Sequence, residues 1–254
     1  WENATSHLTY ALNRASTRPL QVWVKAGHYV SSGTDTNAFI VPANVSMYGG
    51  FEGTESGNYD LSLRDWQKNA TVLDGQQQQR VLLLRSETDG QKARCDGFII
   101  KHGVVNSAFT YGGGVYLQPG SCLSNCHVDS CTAAHAYSNG GGIALCDAEV
   151  LSCRVSHCTA LNANSGGGIA LVNESNTARV VNTQIDHNQS VFGGGAVMWG
   201  GGEFVNCNFI ANTATQNGSA LYSNAYQKTS RLVNCIVWKN RMQRYAFSQL
   251  AFGQ

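Results

Sequence analysis

The feature that most constrains the fold is a glycine triplet that returns at a nearly fixed interval. Triplets begin at Gly112, Gly140, Gly166 and Gly193, 26 to 28 residues apart, and a weaker copy begins at Asn217. The units also share a second half, which reads LSNCHVDSC, LSCRVSHC, VNTQIDHN, VNCNFIAN and VNCIVWKN. A period of this length indicates stacked repeats, in which each unit buries its apolar residues against its neighbours.

Within each unit, apolar and polar residues alternate over a few positions, as in Cys126-His127-Val128 and Thr183-Gln184-Ile185. This is the period of a strand, and no unit holds the long 3.6-residue pattern that a helix needs. Helical repeats are therefore excluded, and leucine-rich repeats lack support because their LxxLxL core is missing. Several short strands in about 26 residues make one coil of a parallel β-helix, with coils about 4.8 Å apart. We predict an all-β solenoid in which each inward residue meets its counterpart one coil away.

Two columns of small side chains fit this stacking. One register holds Cys126, Cys153, Thr183, Cys207 and Cys235, and five residues later come Cys131, Cys158, Asn188, Asn212 and Asn240. We predict that the three asparagines form an internal ladder whose amides bond from coil to coil. The nine cysteines are interpreted mainly as buried small apolar residues. A Cys131–Cys158 or Cys126–Cys153 disulfide between neighbouring coils is the alternative.

The whole chain, residues 1–254, is expected to form one β-helix domain. Residues 1–20 are predicted to hold a short helix that caps the open end of the solenoid. Residues 21–111 are expected to form irregular, longer coils, residues 112–240 the regular repeats, and residues 241–254 a tail. The longest insertion, Gly50 to Lys68, is expected either to line a binding face or to shield the core.

Part of the sequence resembles a known class of proteins. The N-terminal segments VWVKAGHY (from Val22), MYGGFEG (from Met47), LDG (from Leu73) and DGF (from Asp96) resemble the opening of bacterial surface β-helix proteins. The later units resemble the polymorphic outer membrane protein repeat, named for its GGAI and FxxN signatures, which read GGGI at Gly140 and Gly166 and FIAN at Phe209. This resemblance implies a right-handed, pectin-lyase-like solenoid that is secreted or exposed at the cell surface, often within a longer adhesin-like protein. It implies no single reaction, because the fold hosts lyases, hydrolases and adhesins.

Charge and hydropathy restrict the partners. The net charge is +1, so nothing favours binding to nucleic acid or to an anionic membrane. No apolar run is long enough for a membrane span. Residues 1–20 lack the pattern of a signal peptide, so we expect one to have been removed from an extracellular or cell-surface protein. The expected partner is a glycan or a host or cell-surface protein, and the expected state is a monomer or part of a longer chain.

A polar edge is the best candidate for chemistry. Asp129, Ser156 and Asp186 share one outward register, and His127, Arg154 and Gln184 share another, while His157 and His187 follow in adjacent coils. A histidine beside an aspartate can act as a base, so the catalytic candidates are Asp129, Arg154, His157, Asp186 and His187. The alternative is a solvated edge, because no nucleophile or oxyanion hole accompanies these residues. No metal site or cofactor is expected, since the chain has no paired CxxC motifs.

A second feature indicates binding. A strip without charge, predicted to face away from the core, runs through Tyr116, Ala144, Ala170, Val197 and Leu221, with Trp199 beside it. Such a strip could stack sugars, which makes Tyr116 and Trp199 the ligand-binding candidates; cover by a loop or by the tail is the alternative. We therefore expect a non-catalytic surface module for adhesion or glycan binding. A polysaccharide lyase or glycoside hydrolase and a passive spacer in a longer surface protein are the alternatives.

Overall fold

The predicted fold class is confirmed. The computed structural model describes residues 1–2, 4–14, 20–30, 37–85, 92–160, 166–172, 177–225, 227–243 and 249–252. These residues form an all-β, right-handed parallel solenoid of about seven coils, with one short α-helix near the N-terminus. No helix in this described part is long and apolar enough to cross a membrane.

Each regular coil contributes one strand to each of four parallel sheets, numbered here in the order in which the chain visits them after a glycine triplet. Sheet 1 contains Asn37–Val41, Arg80–Leu84, Val115–Leu117, Ile143–Leu145, Ile169–Leu171, Ala196–Met198, Leu221–Ser223 and Leu250–Phe252. Sheet 2 contains Leu20–Lys25, Val45–Phe51, Arg94–Asp96, Cys122–Ser124, Glu149–Leu151, Ala178–Val181, Gly202–Val205 and Ser230–Val233. Sheet 3 contains Gly27–Val30, Thr71–Asp74, Ile99–Lys101, His127–Asp129, Arg154–Ser156, Gln184–Asp186, Asn208–Ile210 and Ile236–Trp238. Sheet 4 contains Val104–Val105, Thr132–Ala133, Thr159–Ala160, Gln189–Phe192, Thr213–Asn217 and Arg241–Met242.

The sharp corners on both sides of sheet 3 are each made by a single residue with positive φ. Between sheets 2 and 3 these residues are mostly asparagine: Asn125, Ser152, Asn182, Asn206 and Asn234, with φ between 51° and 53°. Between sheets 3 and 4 they are His102, Ser130, His157, His187, Ala211 and Lys239, with φ between 52° and 57°. Asparagine and histidine enter this region more readily than most residues, which explains part of the asparagine content.

Each glycine of a triplet meets a different steric requirement. In the second triplet, Gly140 has a φ of 75°, which L-residues rarely adopt. A Cβ on Gly141 would stand 2.4 Å from the carbonyl oxygen of Gly167 in the next coil. A Cβ on Gly142 would stand 3.0 Å from the sulfur of Cys158, inside the core. The triplet therefore turns the chain, allows two coils to approach, and leaves room for the column of cysteine and asparagine side chains.

The structure places the three predicted ladder asparagines one above another in the core. The Oδ1 atom of Asn212 accepts hydrogen bonds from the backbone N–H and the Nδ2 of Asn188, both at 3.0 Å. The Nδ2 atom of Asn212 donates to the carbonyl of Ile185 at 2.8 Å and to the Oδ1 of Asn240 at 2.9 Å. Asn188 in turn accepts from the backbone N–H of Cys158 at 2.9 Å. Each buried amide thus bonds to both neighbouring coils.

The predicted cysteine column also lies in single file in the interior, because sheet 3 keeps its register from coil to coil. All nine cysteines are free thiols, which agrees with the interpretation as small core residues rather than disulfides. Four thiols donate to carbonyl groups of the preceding coil: Cys153 to Leu123, Cys158 to Val128, Cys207 to Val180 and Cys235 to Phe204. The thiols therefore fill the core and add weak contacts along the axis.

The two ends of the solenoid carry further elements. The capping helix, α1, spans Leu8–Arg14, within the predicted range of 1–20, and buries Leu8 and Leu12 against the core. Coils with all four sheets begin at Arg80. Strands Arg241–Met242 and Leu250–Phe252 extend sheets 4 and 1 into the region that was predicted to be a tail.

The close approach of coils at the glycine triplet can be tested by Gly141→Ala. We expect the free energy of unfolding to fall by about 1–3 kcal/mol, because the new Cβ collides with a backbone carbonyl that cannot move independently. Chemical denaturation measures this difference. Gly57→Ala is the matched control, since a Cβ there meets nothing within 4 Å. Equal stability of the two variants would contradict the steric role.

The internal ladder can be tested by Asn212→Leu. We expect a loss of at least about 2 kcal/mol, since the change leaves buried donors and acceptors of both neighbouring coils without partners, at roughly 1–3 kcal/mol each. Thermal and chemical denaturation measure the loss. Asn208→Leu, on the outer side of the same coil, makes the same exchange at a partly exposed position. An unchanged melting temperature for Asn212→Leu would show that the amides do not stabilise the stack.

Candidate functional site

The outer face of sheet 3 carries a polar cluster around Asp129. Its Oδ1 accepts hydrogen bonds from the hydroxyl of Ser156 at 2.6 Å and lies 2.9 Å from the Nδ1 of His157, while its Oδ2 accepts from Ser130 at 2.8 Å. Burial alone would raise the pKa of Asp129, but these hydrogen bonds outweigh it and lower the pKa below its usual value. The nearby His127 has its pKa lowered by burial. Asp129 is therefore an ionised, hydrogen-bonded carboxylate at neutral pH.

Asp186 forms a second cluster two coils further on. Arg154 donates two parallel hydrogen bonds to its carboxylate, at 2.9 and 2.8 Å, and Gln184 and His187 complete the shell at 2.9 and 2.8 Å. Burial would raise the pKa of Asp186, but the bonds from Arg154, His187 and Gln184 reverse the effect and lower it to about 2. Its side chain is only 1% exposed. The five predicted catalytic candidates thus share one edge, in which Arg154 pairs with the carboxylate of Asp186, while two hydroxyl groups and an imidazole lie at hydrogen-bonding distance from that of Asp129.

The two aspartates of this edge are not protonated at neutral pH. A glycosidase needs a carboxyl that is protonated at working pH, and both aspartates have lowered pKa values. Ser156 lies 2.8 Å from the Nε2 of His127 but is fully buried and donates its proton to Asp129, so it is not placed as a nucleophile. The His157 and His187 rings stack 5.4 Å apart. Among the described residues, no group of three or more His, Cys, Asp or Glu side chains could hold a metal ion.

A third polar cluster surrounds Asp74, and the sequence pattern does not predict it. Its carboxylate lies 2.9 Å from the Nε2 of His28 and 3.1 Å from the Nδ1 of His102, with the Nζ of Lys101 at 3.9 Å. Asp74, Lys101 and Asp129 occupy the same position on successive strands of sheet 3. The unequal lengths of the N-terminal coils hide this alignment in the sequence.

The predicted charge-free strip is not an exposed surface. Ala144, Ala170 and Val197 lie outside the main core cluster but are fully buried. The strip also needs a register correction, because Val197 pairs with Tyr222 rather than with Leu221, which lies in the core. Tyr116 packs against Tyr111, with ring centroids 5.6 Å apart.

Trp199 lies in a different surface feature, which we call the aromatic cleft: Phe109, Tyr111, Ala136, Tyr137, Ser138, Asn139, Val172 and Trp199. The cleft has a volume of about 330 Å³. Phe109 and Tyr137 are 69% and 60% exposed, and their rings stack 5.4 Å apart with an interplanar angle of 12°. The indole N–H of Trp199 donates to the Oδ1 of Asn139 at 3.0 Å. Exposed aromatic faces thus lie beside fixed polar groups.

Equal loop lengths bring these aromatic rings together. Phe109 and Tyr137 each precede a glycine triplet by three residues. The two loops lie in register, since the backbone N–H of Asn139 donates to the carbonyl of Thr110 at 3.3 Å and Tyr111 forms a parallel bridge with Asn139. The fixed distance to the triplet is a signal from which the pair could have been predicted.

The long insertion, predicted to run from Gly50 to Lys68, folds against the side of sheet 2. Arg64 anchors it, because its guanidinium donates to the carboxylate of Asp96 at 2.6 Å and to the carbonyl of Gly49 at 2.8 Å. The same guanidinium lies over the rings of Tyr48 and Trp66, 4.8 and 5.8 Å from their centroids. This buried ion pair fixes Trp66 at one end of a surface groove.

Comparisons with known proteins assign the chain to no family. No family model matches the chain, and neither a curated protein nor a solved structure shows significant similarity to it. The structure therefore establishes the parallel β-helix. The resemblance to the polymorphic outer membrane protein repeat and to pectin-lyase-like proteins stays a prediction.

The neutralised carboxylate of Asp186 predicts a pH-dependent stability. Its folded pKa of about 2 lies below the unfolded value of about 3.9, so its contribution is complete above pH 4 and is lost as pH falls through 2. At pH 7, Asp186→Asn should lower the free energy of unfolding by about 2 kcal/mol, and the difference should shrink towards pH 2. Denaturation at several pH values measures this, with the exposed Glu52→Gln as control. A difference independent of pH would refute the ion pair's role.

Proposed function

We propose that the protein is a non-catalytic, cell-surface or secreted β-helix module that binds glycans. The observation that carries this proposal is the aromatic cleft, in which the exposed rings of Phe109 and Tyr137 lie beside the Asn139–Trp199 hydrogen bond. Sugar rings stack on exposed aromatic faces through their C–H groups, while amides and indole N–H groups bond to hydroxyls. The sequence resemblance to bacterial surface proteins supports the expected location.

The chemistry of the polar edge supports binding over catalysis. Asp129 and Asp186 are ionised and hydrogen-bonded, so neither supplies a general acid at neutral pH. The near-neutral chain, with a net charge of +1, also favours an uncharged ligand over a polyanion. A glycan is therefore a better fit than an acidic polymer or a nucleic acid.

The proposal is tested by removing the exposed ring faces with Phe109→Ala combined with Tyr137→Ala. On a panel of immobilised glycans, the wild-type protein should bind at least one structure. The double variant should bind it at least about tenfold more weakly, since each stacked aromatic pair is worth roughly 1 kcal/mol. Tyr10→Ala, an exposed aromatic residue on α1, is the matched control and should bind normally.

Two outcomes would contradict the proposed function. Absence of binding to every glycan on the panel would favour the passive spacer. New reducing ends or unsaturated products after incubation with soluble polysaccharides would favour the lyase or hydrolase. A melting temperature close to that of the wild type should accompany the double variant, because both side chains are mostly exposed.

A further inference from the structure

A second concave surface, which we call the corner groove, runs along the corner between sheets 2 and 3. It has a volume of about 590 Å³. Its floor contains the corner residues Asn125, Ser152, Asn182 and Asn206, its wall contains His127, Arg154, Gln184 and Asn208, and Trp66 and Gln67 close one end. The groove spans five consecutive coils, so its length is about 19 Å at the usual strand spacing. It lies apart from the aromatic cleft and shares no residue with it.

The floor carries a row of exposed amides. The Nδ2 of Asn206 donates to the Oδ1 of Asn182 at 3.2 Å, and the Nδ2 of Asn234 donates to the Oδ1 of Asn206 at 2.7 Å. Each amide has two N–H donors and two acceptor lone pairs. The bond between the two residues uses one N–H donor of Asn206 and one lone pair of Asn182, and Asn234 occupies one lone pair of Asn206. The remaining donors and lone pairs of these exposed amides can bond to solvent. The hydrogen bonds between neighbouring amides hold the side chains of the row, so little side-chain freedom is lost when a ligand binds.

The wall of the groove offers no unpaired positive charge. The guanidinium of Arg154 is bound by both carboxylate oxygens of Asp186. Burial lowers the pKa of His127, so its imidazole is neutral at physiological pH. The remaining polar side chains of the wall, Gln184 and Asn208, are amides. Hydroxyl groups, which donate and accept at once, fit this lining better than carboxylates or sulfates do.

The repeat of the groove selects an extended ligand. Equivalent corner side chains recur once per coil, about 4.8 Å apart along the axis, and on the groove floor all of them except Ser152 are amides. Sugars in an extended β-1,4-linked chain repeat at a similar distance, whereas helical α-linked glucans do not stay in step with a straight row. Trp66 lies at one end, where an aromatic ring can stack on a terminal sugar.

We propose that the corner groove binds an extended, neutral β-1,4-linked polysaccharide lying parallel to the solenoid axis. Sugars place hydroxyl groups on Asn182 and Asn206 in neighbouring coils and on Asn125 two coils before Asn182, and one end of the bound segment stacks on Trp66. This inference rests on the proposed glycan-binding function, because it assigns to that function a second site and a substrate class.

Affinity electrophoresis with two soluble cellulose derivatives tests the inference. Hydroxyethyl cellulose supplies a neutral β-1,4-linked backbone, and carboxymethyl cellulose supplies the same backbone with charge. The wild-type protein should be retarded more strongly by the neutral polymer. Asn182→Gly combined with Asn206→Gly should weaken the retardation at least tenfold, because the amides are lost while glycine keeps the positive φ. Ala211→Gly combined with Lys239→Gly, at corners of matched φ (53° and 56°), should bind like the wild type.

Every other outcome overturns the inference. Absence of retardation of the wild-type protein by hydroxyethyl cellulose, stronger retardation by carboxymethyl cellulose, or full binding by the Asn182→Gly/Asn206→Gly variant would each refute the corner groove. If another glycan binds and is lost only in the Phe109→Ala/Tyr137→Ala variant, the corner groove fails while the proposed function stands. If no glycan binds at all, both fail. Equal melting temperatures of the two double-glycine variants would show that a loss of binding is not a loss of folding.

Discussion

The rest of the structure depends on the direct stacking of equivalent backbone positions from coil to coil. At the glycine triplets this contact is so close that a Cβ on Gly141 would stand 2.4 Å from a carbonyl oxygen of the next coil. Because the coils cannot separate there, the strands of the four sheets keep their register, apart from local shifts between Trp23 and Lys25 in sheet 2 and between Ser190 and Phe192 in sheet 4. All columns of side chains, inside and outside, follow from this one spacing. The glycines therefore recur in the sequence because the packing of adjacent coils requires them.

The same amide chemistry serves two purposes on the two sides of one strand. Inside, Asn188, Asn212 and Asn240 are buried and bond to both neighbouring coils, so the amides stabilise the stack. Outside, Asn182 and Asn206 lie at corners of positive φ and bond to each other, which leaves further N–H donors and lone pairs for other partners. Burial decides between these roles. An enclosed amide needs partners from the protein, whereas an exposed row can exchange water for a ligand of matching repeat.

At the polar edge, stacking of the coils surrounds each carboxylate of a site that resembles an active centre with hydrogen-bond partners. Asp129 and Asp186 stand two coils apart, and serine, histidine or arginine side chains at hydrogen-bonding distance surround each one. These contacts lower the pKa values of both carboxylates and remove the acid that hydrolysis needs. The surface that remains is regular, polar and nearly uncharged, with exposed aromatic rings at one side. Under the proposed function, this surface recognises sugars and does not cleave them.

The sequence by itself determined the parallel β-helix and the inward columns, because short strands repeat every 26 residues or so without the LxxLxL core of leucine-rich repeats. It also indicated the capping helix within residues 1–20, outside the repeats. It also aligned Asp129, Arg154, His157, Asp186 and His187 on one edge. Only the tertiary structure decided which of these groups are neutralised, because hydrogen bonds and burial depend on side-chain positions across coils. Coils of unequal length concealed the Asp74 cluster, and Arg64 reaches Asp96 across 32 residues with no pattern to predict it. The aromatic cleft and the corner groove arise from loops and corners, and contacts between neighbouring coils decide how their side chains are placed relative to one another.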